Sequence, residues 1–383
     1  MKKLIIVVIS LVISNTIFVS QVYSKLNTAT PSLSSEAAIV IEANSGEILY
    51  EKNARISMYP ASVTKIATAI YAIETAELNE VVTVSTKARL TDGTRVYLEE
   101  GEQVPLKKLL QGLLVNSGND AGVAIAEHLS GSVELFAADI NAYLKDTVGI
   151  QNTNFENPHG LFDKNHVTTA EDLAILTKYA MKNEEFMGIF GTKELPWDGE
   201  TWDTILYNHH KLMREMPYEG VTGGKNGFVE QAGTTLVTTA ERENLSLIVV
   251  TLKGNSESAA YSDTIKLLDY GFGSFATSSI DEGTRFAAGG LEYSTSRELF
   301  YTRPIGEQPS MQVQQGGKLE ITDSEGTLLF SNQLQLVDDS KGKQAVAAEH
   351  TSSMIEKVFS NSHYLLIVAV GLFAFFCFRI RKI

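Results

Sequence analysis

The chain has 383 residues, of which 44% are hydrophobic and 20% charged, so it is long enough to bury a large core. Its formal net charge is −14. The two terminal segments described below carry five lysines and arginines and no acidic residue, so the net charge of the region between them is more negative than that of the whole chain by five. Such a region repels nucleic acid and anionic lipid surfaces, and a single cysteine, Cys377, argues against disulfides and cysteine-ligated metal elsewhere in the chain.

The first 24 residues have the layout of a secretory signal peptide. The stretch MKKLIIVVISLVISNTIFVSQVYS begins with two lysines, is apolar from Leu4 onward and ends in small or polar residues. The sequence predicts cleavage near Ser24 or Ala29. An uncleaved anchor helix is the alternative, but four polar residues interrupt the apolar run. We therefore expect an exported protein.

A β-hairpin and a helix are predicted next. Residues 37–53, AAIVIEANSGEILYEKN, contain two β-rich runs around the sequence NSG, whose glycine suits the turn. Pro60 then suits the first turn of a helix, where its missing N–H costs little. The stretch YPASVTKIATAIYAIETAEL (59–78) continues with an apolar, alanine-rich helical pattern.

The middle of the chain is predicted to be helical. Residues 104–131 indicate two helices that are broken at the sequence NSGN, and the first of them carries leucines at helical spacing. Residues 133–149 and 168–183 predict two further helices. Thr168 or Thr169 suits the N-cap of the last one, which has acidic residues on its first turn.

From residue 221 the pattern changes to that of strands. Residues 221–255 hold three short β-rich runs separated by glycines and polar turns, which predicts an antiparallel meander, and 258–272 predict a closing helix. This order favours an α+β domain over residues 30–275, with a central antiparallel sheet flanked by helices. Residues 282–338 contain mostly short β runs and predict a small all-β domain.

The C-terminus predicts a membrane anchor. Residues 339–362 are a polar tether, and 363–380 predict a transmembrane helix, because Tyr364 to Phe378 is uninterrupted apolar sequence. A cluster of three basic residues follows, and such clusters stay on the cytoplasmic side. A buried core helix is the alternative. We expect a single-pass protein whose globular part lies outside the cell membrane, where supplies of ATP and NAD are lacking, so that cofactor-free chemistry is favoured.

Ser62 and Lys65 are the first candidates for chemistry. A serine hydroxyl is a weak nucleophile unless a base takes its proton, and residues three apart on a helix are neighbours. A lysine can act as that base when burial or a second cation lowers its pKa. The spacing is weak evidence by itself, since Ser340 and Lys343 in the tether share it.

Two other short sequences strengthen this interpretation. Ser117-Gly118-Asn119 falls at the break between two predicted helices, where side chains can project into a cleft, although a helix cap with a glycine turn is the simpler explanation. Lys225-Asn226-Gly227 lies in TGGKNGF, where glycines permit close approach of a ligand. An edge-strand lysine beside a bulge is its simpler explanation. The three sequences together, in this order, are far more specific than any one.

With these motifs the sequence resembles the penicillin-binding protein and β-lactamase superfamily. Within it, the sequence is similar to the low-molecular-mass, serine-type D-alanyl-D-alanine carboxypeptidases. The resemblance rests on YPASVTKIATA, LLVNSGNDAGVAIAE, NTNFENPHGLFDKNHVTTAEDLA and GKNGFVEQAGTTLVTTA, and it covers residues 35–275. It implies a β-lactamase/transpeptidase-like domain followed by a small β domain, and an enzyme of cell-wall peptidoglycan synthesis that needs no organic cofactor or metal.

The resemblance also implies a role for each motif residue. Ser62 would be the nucleophile that forms the acyl-enzyme, Lys65 its base, and Ser117 the relay of the proton to the leaving amine. Asn119 would hold the backbone of the substrate, and Lys225 would bind its terminal carboxylate. The reaction would remove the terminal D-alanine of peptidoglycan stem pentapeptides, and β-lactams would inhibit it by acylating the same serine.

Two further residues complete the implied site. The backbone N–H groups of Ser62 and Phe228 would form the oxyanion hole. Asn226 stands where the family usually has threonine, and its amide can still donate a hydrogen bond to the substrate carboxylate. Because this departure could weaken catalysis, a non-catalytic peptidoglycan-binding protein is one alternative and a β-lactamase is another. The oligomeric state and the preferred stem peptide are left open by the sequence.

The histidines do not suggest a metalloenzyme. His159 and His166 lie in NPHGLFDKNHVTTAED, and His209 and His210 are adjacent, so no His-Glu-x-x-His or similar ligand spacing is present. The resemblance implies that residues 154–172 shape the floor of the active site. We therefore predict structural roles for His159 and His166.

Overall fold

The computed structural model describes residues 29–337. Its residues divide into two compact units: the first contains 29–279, 299–310 and 322–330, and the second contains 280–298, 311–321 and 331–337. The predicted domain boundaries stay predictions.

Three predicted segments, the signal peptide (1–24), the tether (339–362) and the C-terminal helix (363–380), lie outside the described residues. Across 29–337, every helix is too short or too polar to cross a lipid bilayer.

Eight α-helices are found in this part of the chain. They are α1 (Lys65–Thr75), α2 (Thr86–Arg89), α3 (Leu106–Val115), α4 (Asn119–Ser130), α5 (Val133–Tyr143), α6 (Ala170–Ala180), α7 (Glu184–Phe190) and α8 (Glu257–Ser274). Shorter helical turns are formed by Ala61–Thr64 and Lys211–Met213, which are 3-10 turns, and by Leu144–Val148, a π turn.

Seventeen strands are found in the same described residues. The first nine are β1 (Ala37–Glu42), β2 (Ile48–Lys52), β3 (Val81–Thr83), β4 (Gln103–Pro105), β5 (Glu194–Asp198), β6 (Asp203–Tyr207), β7 (Val221–Val229), β8 (Gly233–Arg242) and β9 (Leu245–Gly254). The remaining eight are β10 (Phe275–Ile280), β11 (Arg285–Ala288), β12 (Leu291–Ser294), β13 (Leu299–Pro304), β14 (Ser310–Val313), β15 (Lys318–Thr322), β16 (Leu328–Gln333) and β17 (Gln335–Leu336).

A five-stranded antiparallel sheet is the centre of the first unit. Its order is β2-β1-β9-β8-β7, so the N-terminal hairpin joins the C-terminal meander through the pairing of β1 with β9. The predicted α+β fold with a central antiparallel sheet is therefore confirmed. Residues 275–337 form strands and turns without a helix, and they include two three-stranded sheets, β11-β12-β17 and β14-β15-β16.

Both faces of the five-stranded sheet are buried. Along β1, Ile39 and Ile41 join the larger core, which also contains the apolar faces of α1, α3, α4 and α6, whereas Ala38 and Val40 join the smaller core beneath α8. Because successive side chains of a strand point to opposite faces, a strand covered by helices on both sides is apolar along most of its length; only Glu42 of β1 is charged, and its carboxylate accepts hydrogen bonds from the Ser45 and Ser246 amides. This explains why all six residues of β1 are buried.

The middle helices match the predictions, except that the one predicted over 133–149 ends early. The break between α3 and α4 lies at residues 116–118, as predicted, and Thr169 rather than Thr168 caps α6 by accepting a hydrogen bond from the amide of Asp172. The helix predicted over 133–149 is α5 only to Tyr143 and then a π turn, which ends at Gly149 in the left-handed region. The β5–β6 hairpin was not predicted.

Candidate active site

Ser62 lies on the 3-10 turn that leads into α1. Such a turn has three residues per turn, so the side chains of residues three apart lie directly above one another, and Lys65 Nζ is 3.0 Å from Ser62 Oγ. Thr235 Oγ1 on β8 donates to the Pro60 carbonyl at 2.8 Å and ties the turn to the sheet. The sequence predicted the spacing; the turn type and its attachment to β8 come from the fold.

Two glycines allow other segments to approach this turn. A Cβ on Gly227 of β7 would lie 2.5 Å from the Ser62 amide nitrogen, and one on Gly160, whose φ is +88°, would lie 1.9 Å from the Ala61 carbonyl oxygen. Real side chains do not tolerate such distances, so both positions require glycine. The serine turn is thus held between the edge strand β7 and the loop of residues 157–162.

Lys65 is fully buried, and three groups surround its amine. Besides Ser62, Nζ donates to Asn119 Oδ1 and to the His159 carbonyl oxygen, each at 2.7 Å. Burial lowers the pKa of Lys65 well below its usual value, the positive charge of Lys225 lowers it further, and Asp120 partly opposes the effect. A neutral amine keeps two N–H groups and one lone pair. With the N–H groups on Asn119 and His159, the lone pair faces the Ser62 hydroxyl.

The loop between α3 and α4 supplies Ser117, and the first residue of α4 is Asn119. Ser117 is buried, its φ is +60°, and its hydroxyl has no hydrogen-bond partner among the residues that the structure describes. Asn119 begins α4 and links two segments, because its Oδ1 accepts from Lys65 and its Nδ2 donates to the Asp92 carbonyl at 2.7 Å. Its amide group therefore orients the lysine, a contact that the sequence did not predict.

Lys225 lies on β7, the strand that packs against the serine turn at Gly227. It is buried, and Nζ donates to the backbone carbonyl of Asn226 at 2.9 Å, with Asn226 Oδ1 at 3.5 Å. Burial lowers the pKa of Lys225 to about 7. It makes no hydrogen bond to Ser62 or Lys65, so its influence on Lys65 acts through its charge. Phe228, two residues further along the strand from Asn226, is 70% exposed.

His166 supports the serine turn. Its Nδ1 accepts a hydrogen bond from the Glu156 amide, so the ring proton is on Nε2, which donates to Thr64 Oγ1 at 2.8 Å. Thr64 Oγ1 in turn donates to the Ala61 carbonyl at 2.8 Å. Burial lowers the pKa of His166 to about 4, which keeps this chain of hydrogen bonds intact at neutral pH. These contacts are structural.

His159 and His210 are also buried. His159 Nδ1 accepts from the Leu161 amide at 3.2 Å, and burial lowers its pKa. His210 Nε2 lies 2.8 Å from Thr238 Oγ1. Within residues 29–337, no group of three or more His, Cys, Asp or Glu side chains is arranged to hold a metal ion.

Sequence reasoning missed three parts of this site. They are the backbone carbonyl of His159, the carboxylate of Asp120 near Lys65, and residues 92–98, which bind the loop of Ser117 and Asn119. A backbone carbonyl leaves no signal in a sequence. Asp120 directly follows Asn119 in a segment predicted to be helical, and an acidic residue at that position is the only signal available.

Comparison with known proteins identifies the family. The model of the D-alanyl-D-alanine carboxypeptidases of peptidase family S11 matches residues 24–256. The chain belongs to this family. The resemblance stated from the motifs is therefore confirmed, and members of this family are serine hydrolases.

Individual relatives agree with this result. The chain is 34% identical over 251 residues to D-alanyl-D-alanine carboxypeptidase DacF of Bacillus subtilis, a match covering 63% of each chain, which is less than two thirds of DacF. It is 28% identical over 312 residues to DacA of Escherichia coli, with 74% of each covered. The crystal structure of penicillin binding protein 5 from Haemophilus influenzae has a TM-score of 0.73 and 27% identity, and the match covers 81% of this chain and 98% of that one.

Proposed function

We propose that this protein is a serine-type D-alanyl-D-alanine carboxypeptidase that removes the terminal D-alanine of peptidoglycan stem pentapeptides through an acyl-enzyme on Ser62. The observation that carries the proposal is the position of the Lys65 amine, which is fully buried and lies 3.0 Å from Ser62 Oγ. Its other two hydrogen bonds go to Asn119 and to the His159 carbonyl. Membership of the S11 family supports the reaction class.

Acylation begins with proton transfer from Ser62 Oγ to Lys65 Nζ. The resulting alkoxide attacks the carbonyl carbon of the penultimate D-alanine, and the charge moves to the carbonyl oxygen. The backbone N–H groups of Ser62 and Phe228 stabilise this oxyanion, and each such donor is worth about 3–4 kcal/mol of barrier in other enzymes. The approach of β7 to the Ser62 amide at Gly227 supports this assignment.

Collapse of the tetrahedral intermediate breaks the peptide bond. The proton taken up by Lys65 passes through the Ser117 hydroxyl to the leaving nitrogen, and D-alanine departs. The absence of a partner for that hydroxyl among the described residues supports its role as a relay that a substrate completes. A water molecule then attacks the ester, and Ser62 recovers its proton when the shortened peptide leaves.

Lys225 and Asn226 bind the terminal carboxylate of the substrate. A protonated lysine offers a buried positive charge, and the Asn226 amide offers a hydrogen-bond donor in place of the usual threonine hydroxyl. Asn119 completes the substrate site beside Lys65. The same groups accept β-lactams, which acylate Ser62 as substrate mimics.

The protein works on the cell-wall side of the membrane. The predicted signal peptide (1–24), the catalytic domain (30–275), the small β domain (282–338), the tether (339–362) and the single C-terminal transmembrane helix (363–380) support an exported, anchored enzyme. The charge pattern of the two ends carries this part of the proposal.

Labelling and turnover test the function together. We expect a fluorescent penicillin to label the wild-type protein, peptide mapping by mass spectrometry to find the adduct on Ser62, and diacetyl-Lys-D-Ala-D-Ala to release D-alanine. The Ser62→Ala variant should do neither, and D-alanine release by that variant would refute the assigned nucleophile. Rapid hydrolysis of a chromogenic cephalosporin would favour a β-lactamase. A folded wild-type protein that fails to label would favour a non-catalytic peptidoglycan-binding protein.

A further inference from the structure

Residues 92–98, DGTRVYL, form a segment that is hydrogen-bonded to the residues around Ser117 and Asn119. Three backbone carbonyls of the segment accept hydrogen bonds: Thr94 O from Asn119 N (2.7 Å), Asp92 O from Asn119 Nδ2 (2.7 Å) and Arg95 O from Asn116 Nδ2 (2.9 Å). In addition, the amides of Val96 and Leu98 donate to the Asp120 carboxylate at 3.0 and 3.2 Å. Side chains on this segment are thus held in a fixed position beside the candidate active site.

Tyr97 of this segment faces outward in an unfavourable backbone conformation. Its neighbours Val96 and Leu98 are buried, whereas Tyr97 is 49% exposed with a φ of +58°. A bulky residue rarely adopts a positive φ, and such conformations concentrate at binding sites. The Tyr97 ring packs edge-to-face against Trp202 from the β5–β6 hairpin, with a centroid distance of 4.9 Å. Two aromatic rings therefore form a rigid surface here.

Arg95 lies over the Tyr97 ring without an acidic partner. Its guanidinium carbon is 5.2 Å from the ring centroid, and within residues 29–337 its side chain donates one hydrogen bond, a long one of 3.4 Å to the Arg89 carbonyl. By contrast, Arg55 and Arg89 each pair with carboxylates. A stacked guanidinium keeps the N–H groups at its edge free for a carboxylate.

We propose that Arg95, Tyr97 and Trp202 form a subsite for a carboxylate carried by the part of the substrate that precedes D-Ala-D-Ala, so that the preferred substrate class is an acidic peptide. This inference rests on the proposed function. The strand of Lys225, β7, approaches the Ser62 amide at Gly227, whereas Asn119 on α4 contacts the Lys65 amine. A peptide whose C-terminus lies at Lys225 extends its earlier residues toward the Asn119 side, to which residues 92–98 are fastened.

The aromatic surface and the cation have separate tasks. The rings of Tyr97 and Trp202 pack against the apolar part of the bound peptide, and Arg95 supplies the charge that overcomes the repulsion of an acidic peptide by an acidic protein. An amide in place of the carboxylate cannot use that charge. The subsite therefore distinguishes a free carboxylate from its amide.

Two matched peptides test the subsite. Both are γ-D-Glu-L-Lys-D-Ala-D-Ala; one has a free glutamate α-carboxylate and the other an α-carboxamide. We expect Arg95→Gln to lower kcat/KM about fivefold for the free acid, as for a partly exposed charged hydrogen bond. The amidated peptide, diacetyl-Lys-D-Ala-D-Ala and the rate of penicillin labelling should be unchanged. Arg55→Gln, which removes an exposed arginine with two acidic partners, is the control.

Binding measurements keep the proposal testable apart from catalysis. In a Ser62→Ala background, calorimetry should show that the free acid binds more tightly than the amide and that Arg95→Gln removes the difference. Equal losses for all substrates would assign Arg95 a purely structural role, and no loss would also overturn the subsite. If the wild type neither labels nor releases D-alanine, the proposed function fails, while the calorimetric comparison still decides the subsite.

Discussion

Replacing Lys65 with methionine removes the base while keeping a side chain of similar volume. Methionine is unbranched and apolar and fills a similar volume, so the fully buried position should accept it. Ser62 keeps its turn, because the turn is held by Thr235, Thr64 and the close approach of Gly227 rather than by the amine. What disappears is the only side-chain group within hydrogen-bonding distance of Ser62 Oγ among the described residues.

The size of the effect follows from this contact. A positioned general base contributes about 10²–10⁴-fold to a rate, which corresponds to about 2.7–5.5 kcal/mol of activation free energy. We therefore expect acylation of Ser62 to slow by that factor in Lys65→Met. The variant also leaves Asn119 Oδ1 and the His159 carbonyl without their donor, at about 1–3 kcal/mol each. Methionine avoids the free-energy cost of removing a polar amine from water, and this partly offsets the loss in folding stability.

The assay is the rate constant for labelling by a fluorescent penicillin at saturating concentration, with thermal unfolding as the check on folding. Lys225→Met is the matched control, since this lysine is also fully buried but makes no hydrogen bond to Ser62. We expect Lys225→Met to weaken substrate binding more than the acylation step. If Lys65→Met acylates within tenfold of the wild type, the assignment of Lys65 as the base is wrong.

Three further predictions concern pH and packing. Because Lys225 has a pKa of about 7 and must be charged to bind a carboxylate, kcat/KM should fall as pH rises through about 7, and a flat profile from pH 6 to 9 would contradict this role. Gly160→Ala should displace the serine turn and slow penicillin labelling at least tenfold, because the methyl group would overlap the Ala61 carbonyl; unchanged labelling would show that the loop adapts. The pKa of His166 is about 4 in the folded state and 6.5 as an ordinary histidine in the unfolded state. Between these values only the unfolded state binds a proton, so folding stability is lost as pH falls below 6.5. Denaturant unfolding should show a loss of about 2 kcal/mol between pH 7.5 and 5 that is absent in His166→Gln.

Much of the fold could be predicted because its signals are local. The hairpin of β1 and β2, the β7–β9 meander and the break before Asn119 all follow from hydrophobic period and turn residues, which act over a few neighbouring positions. The β5–β6 hairpin was missed, since Glu194–Asp198 and Asp203–Tyr207 are short and largely polar. The pairing of β1 with β9 could not be predicted from pattern alone, because it joins segments about two hundred residues apart.

The sequence by itself determined the spacing of Ser62 and Lys65, the glycines that let other segments reach them, and the family motifs. Only the tertiary structure decided the state of the lysine. Its partners Asn119 and His159 lie 54 and 94 residues further along the chain, and its burial depends on the packing of helices from the whole first unit. A pKa is set by the dielectric and the charges around a group, and those are assembled by folding rather than written in the neighbouring residues.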